Sequence, residues 1–179
     1  MTNLELYKLL EPSVMVASGV PVVIPAADNK PAPKGAYASI HVRTNINERG
    51  QAFKRKRLLP DEETFEHTIR SQQEVTCVVE FYRGEAKEYA ANLMQMDKRE
   101  DIVWPLYQAG LCIMRTGPVL DLTALQSSQF EERARVDIFL RMEVARTYQI
   151  NRIMEVTGTV QNEDGADLQS ATVRANPQL

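Results

Sequence analysis

Two histidines, two cysteines and one adjacent pair of carboxylates are the residues of this chain best suited to chemistry, and their spacing argues against it. His41 and His67 stand in or beside strand-like runs without metal-ligand spacing, so they read as surface or structural histidines. Cys77 alternates with Val75, Val79 and Phe81 and reads as core filler, because a reactive thiol needs an accessible, electropositive site. Cys112 also lies in an apolar run, and two isolated thiols suit a reducing compartment and buried positions better than a disulfide. Glu131 and Glu132 are neighbours in a strand-like run, so they point to opposite faces and cannot act as a pair on one substrate. No glycine-rich phosphate loop, nucleophile elbow, H-E-x-x-H or paired C-x-x-C occurs. The residues therefore point to a non-enzyme, with no catalytic group, no cofactor and no metal.

The one sharp charge feature is Lys54-Arg55-Lys56-Arg57, followed after Pro60 by Asp61-Glu62-Glu63. A basic run beside an acidic run reads as a long exposed excursion between two strands, and these seven residues are the candidate contacts with a partner. The basic run fits DNA or an acidic protein surface; the other reading is a solvated loop neutralised by its own acidic neighbours. Phe53 is the only aromatic beside it, so the stacking series of a single-strand binder is missing. A net charge of −3 gives the whole chain no attraction for nucleic acid or for an anionic membrane. Residues 14–25 are apolar but broken by Ser18, Gly19, Pro21 and Pro25, which leaves neither a signal peptide nor a membrane span.

The elements that must hold these residues are organised around Phe130 to Val144. There Phe130, Glu132, Ala134, Val136, Ile138, Leu140, Met142 and Val144 alternate with mostly charged residues, giving a strand with one buried and one wet face. Fifteen residues exceed the usual strand of about five or six, so the strand either bends or leaves the body of the subunit. Upstream, Thr2 to Glu5 form a capping box, and Leu6, Leu9 and Leu10 stripe a short helix that Pro12 should end. A proline-rich extended connection follows from Val20 to Gly35, then a strand with Ala38, Ile40 and Val42 on one face. A second strand runs from Glu74 to Tyr82, with Val75, Cys77, Val79 and Phe81 inward. Gly84 opens a helix striped by Ala86, Tyr89, Ala90 and Leu93, and a shorter helix covers Ile102 to Ala109 before Gly110. Leu111 to Met114 is a short strand, and Asp121 to Leu125 a connection. Ile153 to Val160 and Leu168 to Val173 form a hairpin around Asn162-Glu163-Asp164-Gly165. Since a lone hairpin is marginal in water, it needs a partner surface. The fold class is α+β: an antiparallel sheet with two or three helices on one face, a long strand and a C-terminal hairpin arm. The domain reading is a body over residues 1–150 and an arm with its tail over 151–179.

Two stretches carry more than periodicity. The run Val23-Ile24-Pro25-Ala26-Ala27-Asp28-Asn29-Lys30-Pro31-Ala32-Pro33-Lys34-Gly35-Ala36-Tyr37-Ala38-Ser39-Ile40 enters and includes the first strand, and Gly117-Pro118-Val119-Leu120-Asp121-Leu122-Thr123-Ala124-Leu125 leads to Phe130-Glu131-Glu132-Arg133-Ala134. Their order and wording resemble the phage neck terminator family, the tail terminators of long-tailed bacteriophages, over roughly residues 14–160. That resemblance implies a virion protein that forms a ring, typically a hexamer, at the head-proximal end of the tail, ends tail-tube polymerisation and joins the tail to the head. Its implied partners are copies of itself, tail-tube subunits, sheath subunits in tails that have them, and head-completion or connector proteins. Genomic DNA would pass through the lumen without sequence-specific binding, and no membrane is implied. The implied location is the neck of the virion, and the host cytoplasm during assembly. The C-terminal hairpin and the basic run depart from the family pattern. A tail-tube or head-completion subunit, or an enzyme with a dispersed site, stays open as an alternative.

Overall fold

The computed structural model describes residues 1–27, 31–60, 64–126, 129–151, 155–165 and 167–174. The chain opens with helix α1 (Asn3–Ser18), whose capping box forms as its sequence requires: Glu5 N–H donates to Thr2 Oγ1 at 3.2 Å, and Thr2 N–H to Glu5 Oε2 at 2.6 Å. The helix does not stop at Pro12. It continues to Ser18 because Val14, Ala17 and Ser18 bury themselves in the core, which outweighs the roughly 3 kcal/mol an internal proline costs. It ends instead at Gly19, in the left-handed conformation, whose N–H donates to the Met15 carbonyl at 2.9 Å.

Inside the region read as a plain connection lies strand β1 (Val23–Pro25), parallel to β2 (Tyr37–Leu58) with Val23 opposite Ala38. Pro25 is tolerated there because β1 is an edge strand. Tyr7 Oη donates to the Val23 carbonyl at 3.2 Å and ties α1 to this edge. After β3 (Thr64–Tyr82) come α2 (Ala86–Leu93), a 3-10 turn (Met96–Lys98), α3 (Glu100–Gln108) and β4 (Leu111–Thr116). Then follow β5 (Leu120–Asp121), β6 (Ala124–Gln126), β7 (Gln129–Glu131), β8 (Arg133–Asn151), β9 (Glu155–Gln161) and β10 (Asp167–Arg174). The main sheet has the order β1-β2-β3-β8-β4, with β5 also on β8; β4 and β5 run antiparallel to β8. The class is α+β.

The chain divides into two compact units, Met1–Gln51 with Ser71–Val144, and Ala52–Arg70 with Ala145–Leu179. The hydrophobic core lies in the first unit: Ala134, Val136, Ile138, Leu140 and Met142 on β8, Val75, Cys77, Val79 and Phe81 on β3, and Leu6, Leu10, Ala90, Leu93, Ile102 and Leu106 from the three helices. The inward rows read from the sequence for β3 and for β8 from Ala134 to Met142 are those observed, and Leu9, Val42, Tyr89 and Val144 pack partly buried against them. Burial holds the Cys77 thiol up at about 11, so it stays protonated and inert. Cys112, by contrast, is exposed, because it sits on the outward side of β4 opposite Arg141.

In the second unit none of the residues whose side chains are described is buried. Its β9 and β10 pair antiparallel, Val156 opposite Val173 and Thr157 opposite Thr172, so one face carries valines and the other hydroxyls. Gly165, at φ 80°, closes the turn by donating to the Asn162 carbonyl.

Candidate assembly surfaces

The basic run is not a loop. Lys54, Arg55, Lys56 and Arg57 lie on β2, which extends to Leu58, fifteen residues beyond the strand read at Ala38 to Arg43. All four are exposed, and none has an ion-pair partner among the described residues. Asp61, Glu62 and Glu63 lie outside the described residues. Arg49, earlier on the same strand, is engaged with Glu74 at 3.5 Å.

The long strand read at Phe130 to Val144 is also divided differently. It breaks at Glu132, so that Phe130 belongs to a small ribbon in which Leu125 is opposite Phe130 and Ala124 opposite Glu131. Phe130 was read as the first core residue of that strand; it is 78% exposed, and Leu125 is 61% exposed. With Leu120 and Leu122 they give the first unit a group of exposed apolar side chains on neighbouring elements.

What holds this ribbon out is a polar cluster that joins the two distinctive stretches of sequence. Arg83, at φ 64°, donates from Nε to Glu131 Oε1 at 2.9 Å and from its Nη1 to the carbonyls of Pro33 and Lys34. Arg133 closes on the other oxygen of Glu131 at 2.7 Å and lies over the Tyr82 ring, which stacks on Tyr37 with centroids 4.7 Å apart. Glu132 turns the opposite way. Its Oε1 accepts from Lys87 N–H at 3.0 Å, capping the first turn of α2, whose own preceding residue supplies no side-chain cap. Lys87 Nζ pairs with Asp121 at 2.7 Å, and Asp121 Oδ1 accepts from Thr123 N–H in a local turn. Gly117 N–H donates to the Asp137 carbonyl, and an added Cβ at Gly117 would stand 3.3 Å from that oxygen. The G-P-V-x-D-L-T and F-E-x-R-A wording is therefore architectural: Asp121 and Glu132 tie these stretches to the start of α2, Glu131 ties them to Arg83 at the end of β3, and Gly117 and Thr123 bond to β8.

Arg133 first, then Arg83, hold the Glu131 carboxyl below the usual glutamate range. A carboxylate depressed in the folded state binds more protons when unfolded, so its contribution is present above the unfolded value and is lost as pH falls through the folded one. Replacing Glu131 by Gln is accordingly expected to lower stability by about 1–3 kcal/mol at pH 7 and to flatten its decline below about pH 4. Urea unfolding at pH 7, 4 and 3 checks this; an unchanged acid slope would show that Glu131 does not anchor the cluster.

Two further features escaped the sequence. Trp104 and Tyr107 project from α3 on the side away from the buried Ile102 and Leu106, 59% and 63% exposed, with ring centroids 5.8 Å apart. Their offset from the buried i, i+4 pair was visible in the sequence, but only the fold shows that they stay exposed among the described residues. Along the sheet, β1 pairs β2 only over Ala38–Ile40, and β4 pairs β8 no further than Met142 among the described pairings. The later stretches of both strands therefore offer backbone edges that a neighbouring strand can join. His67 stands between Phe65 and Tyr148, with ring centroids 6.4 and 5.4 Å away, among neighbours that fit a structural histidine.

No cluster of three or more His, Cys, Asp or Glu placed to hold a metal occurs among the described residues. No helix there is long and apolar enough to cross a membrane. A family model described as "Phage neck terminator protein" matches residues 4–164. No curated protein matches the chain.

Proposed function

The chain belongs to the phage neck terminator family, and from that premise we propose that copies of it close into a ring, a hexamer, on the head-proximal end of the tail. A structural role in the phage neck follows from the family itself. The ring stops addition of tail-tube subunits, and its opposite face receives the head connector, so that DNA passes through the lumen without being read. Sheath subunits are further neighbours in tails that have a sheath. Subunits wait in the host cytoplasm until a tube is complete. The observation that carries this reading is the second unit, a compact body in which no described side chain is buried. Burial of apolar surface is the main force holding any unit together, and a body with no fully buried side chain among its described residues is suited to being covered by others. Two such surfaces on one chain, the exposed valine face of β9 and β10 and the Leu125–Phe130 ribbon, suit a subunit that must meet unlike neighbours at once.

Electron microscopy of the purified protein, alone and with tail tubes, tests it. Closed rings alone and a single ring on one end of each tube are expected. Open stacks would instead favour a tube subunit, and a protein that neither closes nor caps would sink the reading.

A further inference from the structure

Resting on that ring reading, we propose that the groove between the 3-10 turn and α3 receives the basic stretch of β2 from a second copy of this chain. The groove, about 580 Å³, is lined by Asp97, Lys98, Arg99, Glu100, Trp104 and Tyr107. Its cations are already engaged: Arg99 with Asp101 at 2.6 Å and with the Val16 carbonyl at 3.0 Å, and Lys98 with Gln95 Oε1 at 3.1 Å. Its carboxylates are not. Glu100 is exposed without an ion-pair partner among the described residues, and Asp97 Oδ1 is shielded from solvent with no hydrogen-bond partner. Aromatic faces beside an exposed carboxylate such as Glu100 are what a guanidinium takes, since it stacks on the ring and donates in its own plane.

The same chain carries the complement. Along the outer part of β2, Phe53, Arg55 and Arg57 share one face by strand alternation, and Lys54 and Lys56 the other. Phe53 is exposed, as are both arginines. An apolar ring followed by two arginines matches a groove of two aromatic rings and two carboxylates in kind and in sign. In a closed ring each subunit presents two different patches, one to each neighbour, which is how a donor strand and an acceptor groove on one chain are used together.

The test measures assembly size by light scattering for the wild type, for the double variant Arg55→Glu/Arg57→Glu and for Trp104→Ala/Glu100→Arg. All the changed positions are exposed, so circular dichroism and melting temperature should match the wild type. Each variant is expected to lose the ring, with subunit affinity weakened roughly 30-fold or more, as for loss of an interface hot spot. Combining Arg55→Glu with Glu100→Arg in one chain should restore rings. If either double variant closed rings of wild-type size and salt resistance, the inference would fail while the ring reading stood. A wild type monomeric even on tail tubes would overturn both.

Discussion

Leu140→Ala is expected to lower the free energy of unfolding by about 2–5 kcal/mol, while Phe130→Ser, ten residues earlier, is expected to change it by less than about 0.5 kcal/mol. Both residues fall on the same parity of one alternating run, and alternation alone would place both in the core. Leu140 is fully buried, one of a row from Ala134 to Met142 under α1, α2 and α3, so deleting its side chain removes apolar contacts and leaves a cavity. Phe130 lies beyond the break at Glu132, on the β6–β7 ribbon, in contact mainly with solvent. Urea unfolding followed by circular dichroism separates the two. Equal losses would mean that the strand does not break at Glu132 and that the ribbon belongs to the core.

Deleting the chain after Gln149 is the second change with a large expected effect, and there the loss falls on assembly and not on folding. Every member of the core cluster precedes Val144, so the body should unfold at an unchanged urea concentration. The deletion removes β9 and β10, whose valines at 156, 160 and 173 are all more than half exposed. A two-stranded hairpin is marginally stable by itself, so this one should be ordered against a neighbour. In a phage lacking its own terminator, the truncated protein is expected to cap tails yet leave most heads and tails unjoined, counted by electron microscopy. Normal virion yield would remove the hairpin from joining, and an insoluble truncation would assign it to the subunit's own fold.

Much of the first unit could be read from residue order. The capping box at Thr2, the inward row from Val75 to Phe81, the Ala86–Ala90–Leu93 stripe and the turn at Gly110 all act through neighbours a few positions away. The family, too, was legible, because its wording is local: Gly117, Asp121, Thr123, Glu131 and Arg133 serve one polar cluster built from two short stretches. What those residues do was not legible, since their partners Arg83 and Lys87 come from elsewhere in the chain.

The sequence by itself determined which strand faces and helical stripes are apolar, and hence the core and the α+β class. Tertiary structure alone decided that α1 passes through Pro12, that Phe130 and Cys112 face outward, and that Lys54 to Arg57 sit on a strand. The physical reason is the same in each case. Period-two and helical patterns are written into a sequence only where one face of an element is buried. Beyond Gln51 on β2 neither face is buried, so nothing in the residue order of that stretch marks it as strand, and its backbone is held by the neighbouring strand β3. At Pro12 the decision belongs to Val14 and Ala17, whose burial depends on a sheet formed by residues far along the chain.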